Sequence, residues 1–244
     1  MEHISIIPQT ILNLADFPIT NTLFTSWVVL ILLCLFAITL SSKIKEIPGR
    51  IQAGIEIFIE GFLNFLETIG GNRETAVRFF PFVATLFLFV LTANWFGILP
   101  GVGSVGFFHE DGEFLSLFRS VNSDLNMTLA LAIMTVTVSH IAGLVYVGTL
   151  GHIGKFLNFK SPIALFAGVL EIIGEISKII SLSFRLFGNV FAGEVLLVII
   201  SFLVPYIAPI PFLGMELFVG LIQALIFSVL AMLALSTFSK AEVH

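Results

Sequence analysis

The chain has 244 residues, of which 57% are hydrophobic and 11% are charged, and its mean hydropathy is +1.08. A composition this apolar excludes a soluble globular domain and indicates a polytopic helical membrane protein. The formal net charge of −5 carries little meaning by itself, because topology depends on where Lys and Arg fall relative to the apolar segments. The single cysteine, Cys34, excludes an intrachain disulfide and a cysteine-based metal site.

The first 20 residues contain Glu2 and Asp16 but no basic segment, which is not typical of a cleaved signal peptide. We therefore expect the first apolar run to insert by itself. Apolar runs suited to crossing ~30 Å of hydrocarbon follow along the chain. They cover residues 26–40, 79–99, 127–150, 161–204 and 211–238. Residues 50–69 instead place apolar side chains at helical spacing between polar ones, which predicts an amphipathic helix at the membrane interface.

The fourth run is too long for one ordinary span. As a single helix its 44 residues would extend ~66 Å, about twice the bilayer, so the helix must be strongly tilted or bent. Pro205, Pro209 and Pro211 then force the chain to reverse. We predict an all-α fold with three ordinary transmembrane helices, one interfacial helix and a long, tilted C-terminal helical hairpin, all within a single membrane domain of residues 1–244.

The basic residues outside the spans predict the orientation. If the five spans simply alternate, all of these residues except Arg119 fall on one side. By the positive-inside rule that side is the cytoplasm, so the N-terminus is outside and the C-terminus is cytoplasmic. The acidic 101–125 loop, with Glu110, Asp111, Glu113 and Asp124, is then external. The cytoplasmic set is Lys43, Lys45, Arg50, Arg73, Arg78, Lys155, Lys160 and Lys240.

Arg185 lies in the middle of the longest apolar run, and the nearest opposite charge along the chain is Glu194. A guanidinium is not neutralised by deprotonation, and a charge at mid-bilayer depth costs ~3 kcal/mol or more. We expect Arg185 to meet an anion from another chain or a water-filled cavity rather than to serve packing alone. At about 100° per residue, a polar stripe lies within about 80° of it on one helix face. The stripe consists of Glu171, Glu175, Lys178, Ser181 and Asn189.

The hairpin adds a prediction of register. Residues at equal distance from a reversal lie side by side in an antiparallel pair, so Gln223 is predicted level with Arg185, and Glu216 level with Glu194. Two carboxyl groups that share a low-dielectric site do not readily ionise together, so at least one is expected to exchange protons near neutral pH. Such a pair would suit a proton relay.

Each of these residues also has a structural interpretation. Glu171, Glu175 and Lys178 could form the inward face of a packed bundle, with partial mutual neutralisation. Glu194 and Glu216 could be neutral structural acids, and an interhelical hydrogen bond would explain Gln223 equally well. His140 fits a hydrogen-bonded bundle histidine better than a member of a proton relay.

The residue strings resemble a known family. Arg185-Leu-Phe-Gly188-Asn189 through Gly193-Glu194, followed by Leu221-Ile-Gln223, closely resembles the a subunit of F-type ATP synthases, the channel subunit of the Fo sector. Supporting segments occur in the same order as in that family. They are Pro18-Ile-Thr-Asn-Thr22, Asn94-Trp-Phe-Gly-Ile-Leu-Pro100 and Asp124-Leu-Asn126-Met-Thr-Leu-Ala-Leu131. The resemblance covers about residues 17 to 239.

The resemblance implies a non-catalytic, proton-translocating stator beside a rotating ring of c subunits, each with one membrane carboxyl. It also implies contact with the b subunit of the peripheral stalk and the rest of the F1Fo complex, and no cofactor or bound metal. Arg185 matches the family's essential arginine, Asn189 and Gln223 its polar neighbours, and Glu194 and Glu216 its relay positions. Family members often place a Glu and a His at those two positions, whereas this chain has Glu at both.

The resulting hypothesis is an outer half-channel at Glu194 and Glu216, an inner one near Glu171, Glu175 and Ser181, and Arg185 between them. The charge pattern favours a bacterial plasma membrane. The transported ion is H⁺, with Na⁺ as the alternative, and nucleic acid is not an expected partner. A secondary ion or proton transporter is the main alternative, although no internal repeat supports it. An intramembrane enzyme would need a partner for His140 that the sequence does not supply.

Overall fold

The computed structural model describes residues 8–14, 17–42, 44–99, 101–108, 114–156 and 161–239. In this part of the chain seven α-helices and two small antiparallel β-hairpins form. The helices are α1 (Asn21–Ser41), α2 (Arg50–Gly70), α3 (Arg73–Ile98), α4 (Leu125–Tyr146), α5 (Thr149–Phe156), α6 (Pro162–Leu203) and α7 (Pro209–Ser239). The hairpins pair β1 (Thr10–Leu14) with β2 (Phe17–Thr20) and β3 (Gly106–Phe108) with β4 (Phe114–Ser116).

Five of these helices, α1, α3, α4, α6 and α7, are long and apolar enough to cross a membrane. The predicted all-α, polytopic membrane fold is therefore confirmed. The apolar run 127–150 is divided between two helices: α4 ends at Tyr146, and Gly148 adopts a left-handed conformation with φ 86° before α5 begins. Glycine adopts this conformation without a Cβ clash, so the chain can turn at this point.

Short polar residues begin several of the helices. The Thr20 hydroxyl accepts a hydrogen bond from the Leu23 N–H at the start of α1, and the Asn72 side chain does the same for Thr75 at the start of α3. The Ser161 hydroxyl caps α6 at the Ala164 N–H, and Pro162 occupies the first helical position. Each cap satisfies a backbone donor that the helix itself leaves unpaired.

The fold contains two compact units, and α3, α4, α6 and α7 each contribute to both. The first unit comprises residues 1–44, 86–128 and 184–225. In it, the Thr22 hydroxyl donates to the Asp124 carboxylate over 2.7 Å, and the backbone N–H of Arg119 donates to the Thr25 hydroxyl over 3.1 Å. These buried bonds tie the start of α1 to the segment that precedes α4.

The second unit comprises residues 45–85, 129–183 and 226–244. Here α2 is joined to the start of α3 by Arg73, whose guanidinium contacts the carboxylates of Glu60 and Glu67. Because these side chains are substantially exposed, the ion pairs contribute little stability and mainly orient the two helices. Tyr146 of α4 lies against α3, with the Arg78 guanidinium 4.3 Å from the centre of its ring.

Several residues used to predict the orientation lie outside the described residues. They are Lys43, Lys160 and Lys240 of the basic set and Glu110, Asp111 and Glu113 of the acidic loop.

Candidate functional site

Arg185 lies on an exposed face of α6. Ser181, Phe184, Gly188 and Asn189 are exposed with it, at the spacing of one helix face. Leu182, Leu186 and Val190 are buried on the other side and anchor the helix by apolar packing. The Asn189 amide donates to the Arg185 main-chain carbonyl over 2.9 Å, so these two residues are linked along the helix. The guanidinium is therefore positioned on a surface that is open in the single chain.

The exposure of α6 is extensive. In an apolar stretch of 18 residues within α6, only 11% of the residues are buried inside the chain, compared with 39% in the corresponding stretch of α7. Large apolar side chains, including Ile176, Ile180 and Phe184, are exposed along it. A long apolar helix that exposes a cation such as Arg185 is suited to contact with lipid and with another membrane protein.

Glu194 and Glu216 lie close enough for their carboxyl groups to interact electrostatically. Gly193 makes this approach possible, since a Cβ atom at that position would lie 2.8 Å from Glu216 Oε1. Glu216 Oε2 is buried and has no hydrogen-bond partner among the described residues. The structure therefore brings together the two carboxyl groups that the hairpin register predicted to be level.

Three polar side chains position α7 beside α3. The Asn94 amide donates to the Gly220 carbonyl over 3.0 Å, and the Trp95 indole N–H donates to the Leu217 carbonyl over 3.0 Å. The Asn122 amide in turn donates to the Asn94 side-chain oxygen over 2.7 Å. These bonds hold the part of α7 between Glu216 and Gln223, and Gln223 is itself buried.

A second group of titratable residues lies in the other unit. Glu175 is buried, whereas Glu171, Lys178 and Ser181 on the same stripe are exposed. The Oε1 atom of Glu175 accepts a hydrogen bond from Lys178 Nζ over 2.5 Å, and the Oε2 atom of Glu175 lies 3.8 Å from His140 Nε2. Glu175 was predicted at about 80° from Arg185, at the edge of the stripe, and that position turns it toward α4.

His140 also contacts a residue outside the predicted site. The His140 Nδ1 atom lies 3.1 Å from Nε2 of His152, which belongs to the short helix α5. Burial lowers the pKa of His152, with the charges of His140 and Lys155 acting in the same direction and Glu175 opposing them. His152 lies beyond the run 127–150, so its sequence position alone indicated a loop residue. In the described ranges no group of three or more His, Cys, Asp or Glu side chains is arranged to hold a metal ion.

Comparisons with known proteins identify the family of the chain. Residues 23–236 match the family model described as ATP synthase A chain. The chain is 35% identical over 212 residues to ATP synthase subunit a of Citrifermentans bemidjiense, covering 85% of this chain and 82% of the relative. It is 32% identical over 238 residues to ATP synthase subunit a of Moorella thermoacetica, covering 98% of both chains.

A third relative, ATP synthase subunit a of Mycobacterium ulcerans, is 35% identical over 234 residues, covering 91% of this chain and 88% of its own. The match to the family model extends from α1 into α7 and includes Arg185, Glu194, Glu216 and Gln223. The chain therefore belongs to the ATP synthase subunit a family and is an integral membrane component of an F-type ATP synthase.

Proposed function

We propose that this chain is the proton-translocating stator of its complex, with Arg185 as an electrostatic stop between two half-channels. The observation that carries the proposal is the exposed position of Arg185 on α6. A permanent cation on an exposed, apolar helix face is suited to pairing with a carboxylate on a neighbouring membrane subunit. The partner is a ring of c subunits, each with one membrane carboxyl.

The outer half-channel uses Glu194 and Glu216. Their electrostatic interaction supports a shared site, and the unpartnered, buried Oε2 atom of Glu216 offers a place for a proton or a water molecule. Because two adjacent carboxylates repel each other, one proton shared between them is favoured. A proton entering from the outer side would be held here and then passed to a ring carboxyl.

The inner half-channel uses the other end of the polar stripe, with Glu171, Glu175, Lys178 and Ser181. All four belong to the unit that does not contain Glu194 and Glu216. Glu175 lies ten residues before Arg185 in α6, which corresponds to ~15 Å along the helix axis. Glu175 and Glu194 therefore lie on opposite sides of Arg185 along the sequence of α6, as two separate half-channels require.

Arg185 then has two roles. It attracts a deprotonated ring carboxylate in a desolvated setting, and as a permanent cation it repels protons that would pass directly from one half-channel to the other. Asn189 supports this position through its bond to the Arg185 carbonyl, and Gln223 supplies a buried polar group on the neighbouring helix α7. Rotation in one direction follows because only a neutral carboxyl enters lipid at low cost.

The remaining features of the proposal concern the complex and its membrane. The chain carries out no bond chemistry itself, and it contacts the b subunit of the peripheral stalk as well as the ring. Its N-terminus lies outside and its C-terminus in the cytoplasm of a bacterial plasma membrane, as the basic residues predict. The bacterial relatives support that location.

The proposal is tested by purifying the chain with its complex in mild detergent and reconstituting it into vesicles. A stator copurifies with a c ring, and ATP addition then drives proton uptake that does not require sodium. Uptake that requires sodium would identify Na⁺ as the transported ion. Ion transport by the isolated chain, without a ring or ATP, would instead support a secondary transporter and would contradict the proposal.

A further inference from the structure

The second unit contains a chain of three titratable side chains that the proposed half-channels do not yet explain. Glu175 comes from α6, His140 from the C-terminal part of α4 and His152 from α5. Glu175 and His152 are 6% and 4% exposed, respectively. Three consecutive helices therefore place an acid and two imidazoles in one cluster, in which His140 is the more exposed member.

His140 lies between the other two groups. Its Nε2 atom is 3.8 Å from Glu175 Oε2, and its Nδ1 atom is 3.1 Å from His152 Nε2. Both ring nitrogens are thus directed at proton-exchanging partners. An imidazole in this position can accept a proton at one nitrogen and release one from the other.

Two buried polar atoms of this chain have no hydrogen-bond partner among the described residues, Glu175 Oε2 and His152 Nδ1. Glu175 Oε2 faces His140 Nε2 at 3.8 Å, which is beyond hydrogen-bond distance, so a proton or a water molecule would complete this link. His152 Nδ1 is the terminal atom of the chain, and because buried polar atoms are normally paired, it calls for a water molecule or a transferred proton.

The surrounding residues orient the two rings. Phe156 and Phe238 contact both histidines edge-on or at a tilt, at centroid distances of 4.8 to 5.7 Å. Gly143 leaves room for the His152 ring, since a Cβ at that position would collide with its Nδ1 and Cε1 atoms. The absence of a side chain at residue 143 is therefore a condition for the arrangement.

We propose that Glu175, His140 and His152 form a proton relay that serves the inner half-channel, with His152 as its last group. The inference rests on the proposed function, because it adds residues to the same proton path. The proton transfers in this relay require neither a metal nor a cofactor.

In the release direction, protonated Glu175 gives its proton to Nε2 of His140. His140 loses its Nδ1 proton to Nε2 of His152, which in turn releases its Nδ1 proton to water. One proton leaves for each one that enters, and both imidazoles are then protonated at Nε2. Before the next transfer each ring has to turn so that its N–H again faces the next acceptor. The relay therefore leaves the charge of the three groups unchanged apart from the ionisation of Glu175.

The charged groups around the relay favour this direction. Lys178 binds Glu175 through Oε1, the oxygen that does not face His140. The Lys178 Nζ atom also lies 5.4 Å from the centre of the Phe238 ring, which α7 contributes to this cluster. The positive charge of Lys155, on α5, disfavours protonation of His152. Burial, first of all, and the charges of His140 and Lys155 lower the pKa of His152, so a proton that it takes up is readily released.

The test measures ATP-driven proton pumping by the complete complex in vesicles. In His152→Ala, pumping should fall about tenfold or more, within the usual contribution of a positioned proton-transfer group. Added imidazole should restore pumping, whereas thiazole, a ring of similar size and far weaker basicity, should not. Phe156→Leu, a packing control without a titratable atom, should pump at nearly the normal rate.

Two further variants keep the test decisive if His152→Ala assembles poorly. His152→Gln retains a hydrogen-bonding group opposite His140 but cannot relay a proton, so it should also pump slowly. Gly143→Ala keeps both histidines and displaces the His152 ring, so pumping should slow with no titratable group removed.

Normal pumping in His152→Gln and His152→Ala would overturn the relay. Equal rescue by thiazole, or equal loss in Phe156→Leu, would also overturn it by assigning the cluster to packing. Arg185→Lys is measured in parallel. If Arg185→Lys fails while the His152 variants pump normally, only the relay is wrong, and if Arg185→Lys pumps normally, the proposed function itself is wrong.

Discussion

The Asn94 side-chain amide donates a hydrogen bond to the main-chain carbonyl of Gly220 over 3.0 Å, so α3 holds α7 between Glu216 and Gln223. The Cβ of Asn94 also lies 3.2 Å from where a Cβ of residue 220 would be. The close approach of the two helices therefore depends on both residues. Because the amide bridge is buried and extended by Asn122, it fixes the axial position of α7 in this unit.

Asn94→Leu should destabilise the first unit by ~1–3 kcal/mol, because the Asn122 amide then loses its buried acceptor. Trp95→Phe removes one bond of similar length from a more exposed ring and should cost about 1 kcal/mol or less. Thermal unfolding of the two purified complexes measures the difference. Equal stability in Asn94→Leu and the unmodified complex would mean that this bond does not hold α7.

The proximity of Glu194 and Glu216 predicts non-additive effects on proton flow. Glu194→Gln and Glu216→Gln should each slow ATP-driven pumping, and the double variant should lose less than the sum of the two effects in free energy. Residues that share a site usually show interaction energies of ~0.5–3 kcal/mol in such a cycle. Cysteines at 194 and 216 should also be joined by a short crosslinker. Additive effects without a crosslink would make Glu216 a packing residue.

The predicted orientation can be tested with two positions that are equally exposed. Val105, in the loop predicted to be external, and Ile153, in α5, are 49% and 50% exposed. In a chain whose exposed Cys34 is replaced by alanine, Val105→Cys and Ile153→Cys should react with an impermeant reagent from opposite faces of the membrane. Reaction of both from one face would contradict the alternation of five spans.

The lowered pKa of His152 predicts a loss of stability on acidification. The unfolded chain binds a proton at this residue near the ordinary value of 6.5, while the folded chain resists it, so stability falls as the pH drops below that value. The melting temperature of the complex should decrease between about pH 7.5 and pH 5, and the decrease should be smaller in His152→Gln. An identical pH profile in both complexes would exclude this contribution.

The sequence allowed the polar stripe and the carboxyl pair to be predicted because both follow from helical spacing and one chain reversal. Arg185, Glu194 and Glu216 lie on two consecutive helices, so counting from the Pro205 turn was sufficient to place the two carboxyls together. The His140–His152–Glu175 cluster depends on the direction in which α5 leaves α4. The sequence shows a glycine at position 148 where the chain can turn, but it does not show in which direction the chain turns. The bonds from Asn94 to Gly220 likewise join residues 126 positions apart, and no local pattern indicates them.

The role of Arg185 is the central claim, and one measurement tests it most directly. Passive proton flow and ATP synthesis are compared in vesicles that contain the assembled Arg185→Ala and Arg185→Lys complexes. The account predicts that Arg185→Ala assembles, loses ATP synthesis and conducts protons passively at an equal or higher rate. Arg185→Lys should rescue synthesis poorly, because a lysine can be neutralised when desolvated and lacks the planar fork that pairs with carboxylates. Near-normal synthesis in Arg185→Lys, or an assembled Arg185→Ala complex that is proton-tight, would contradict it.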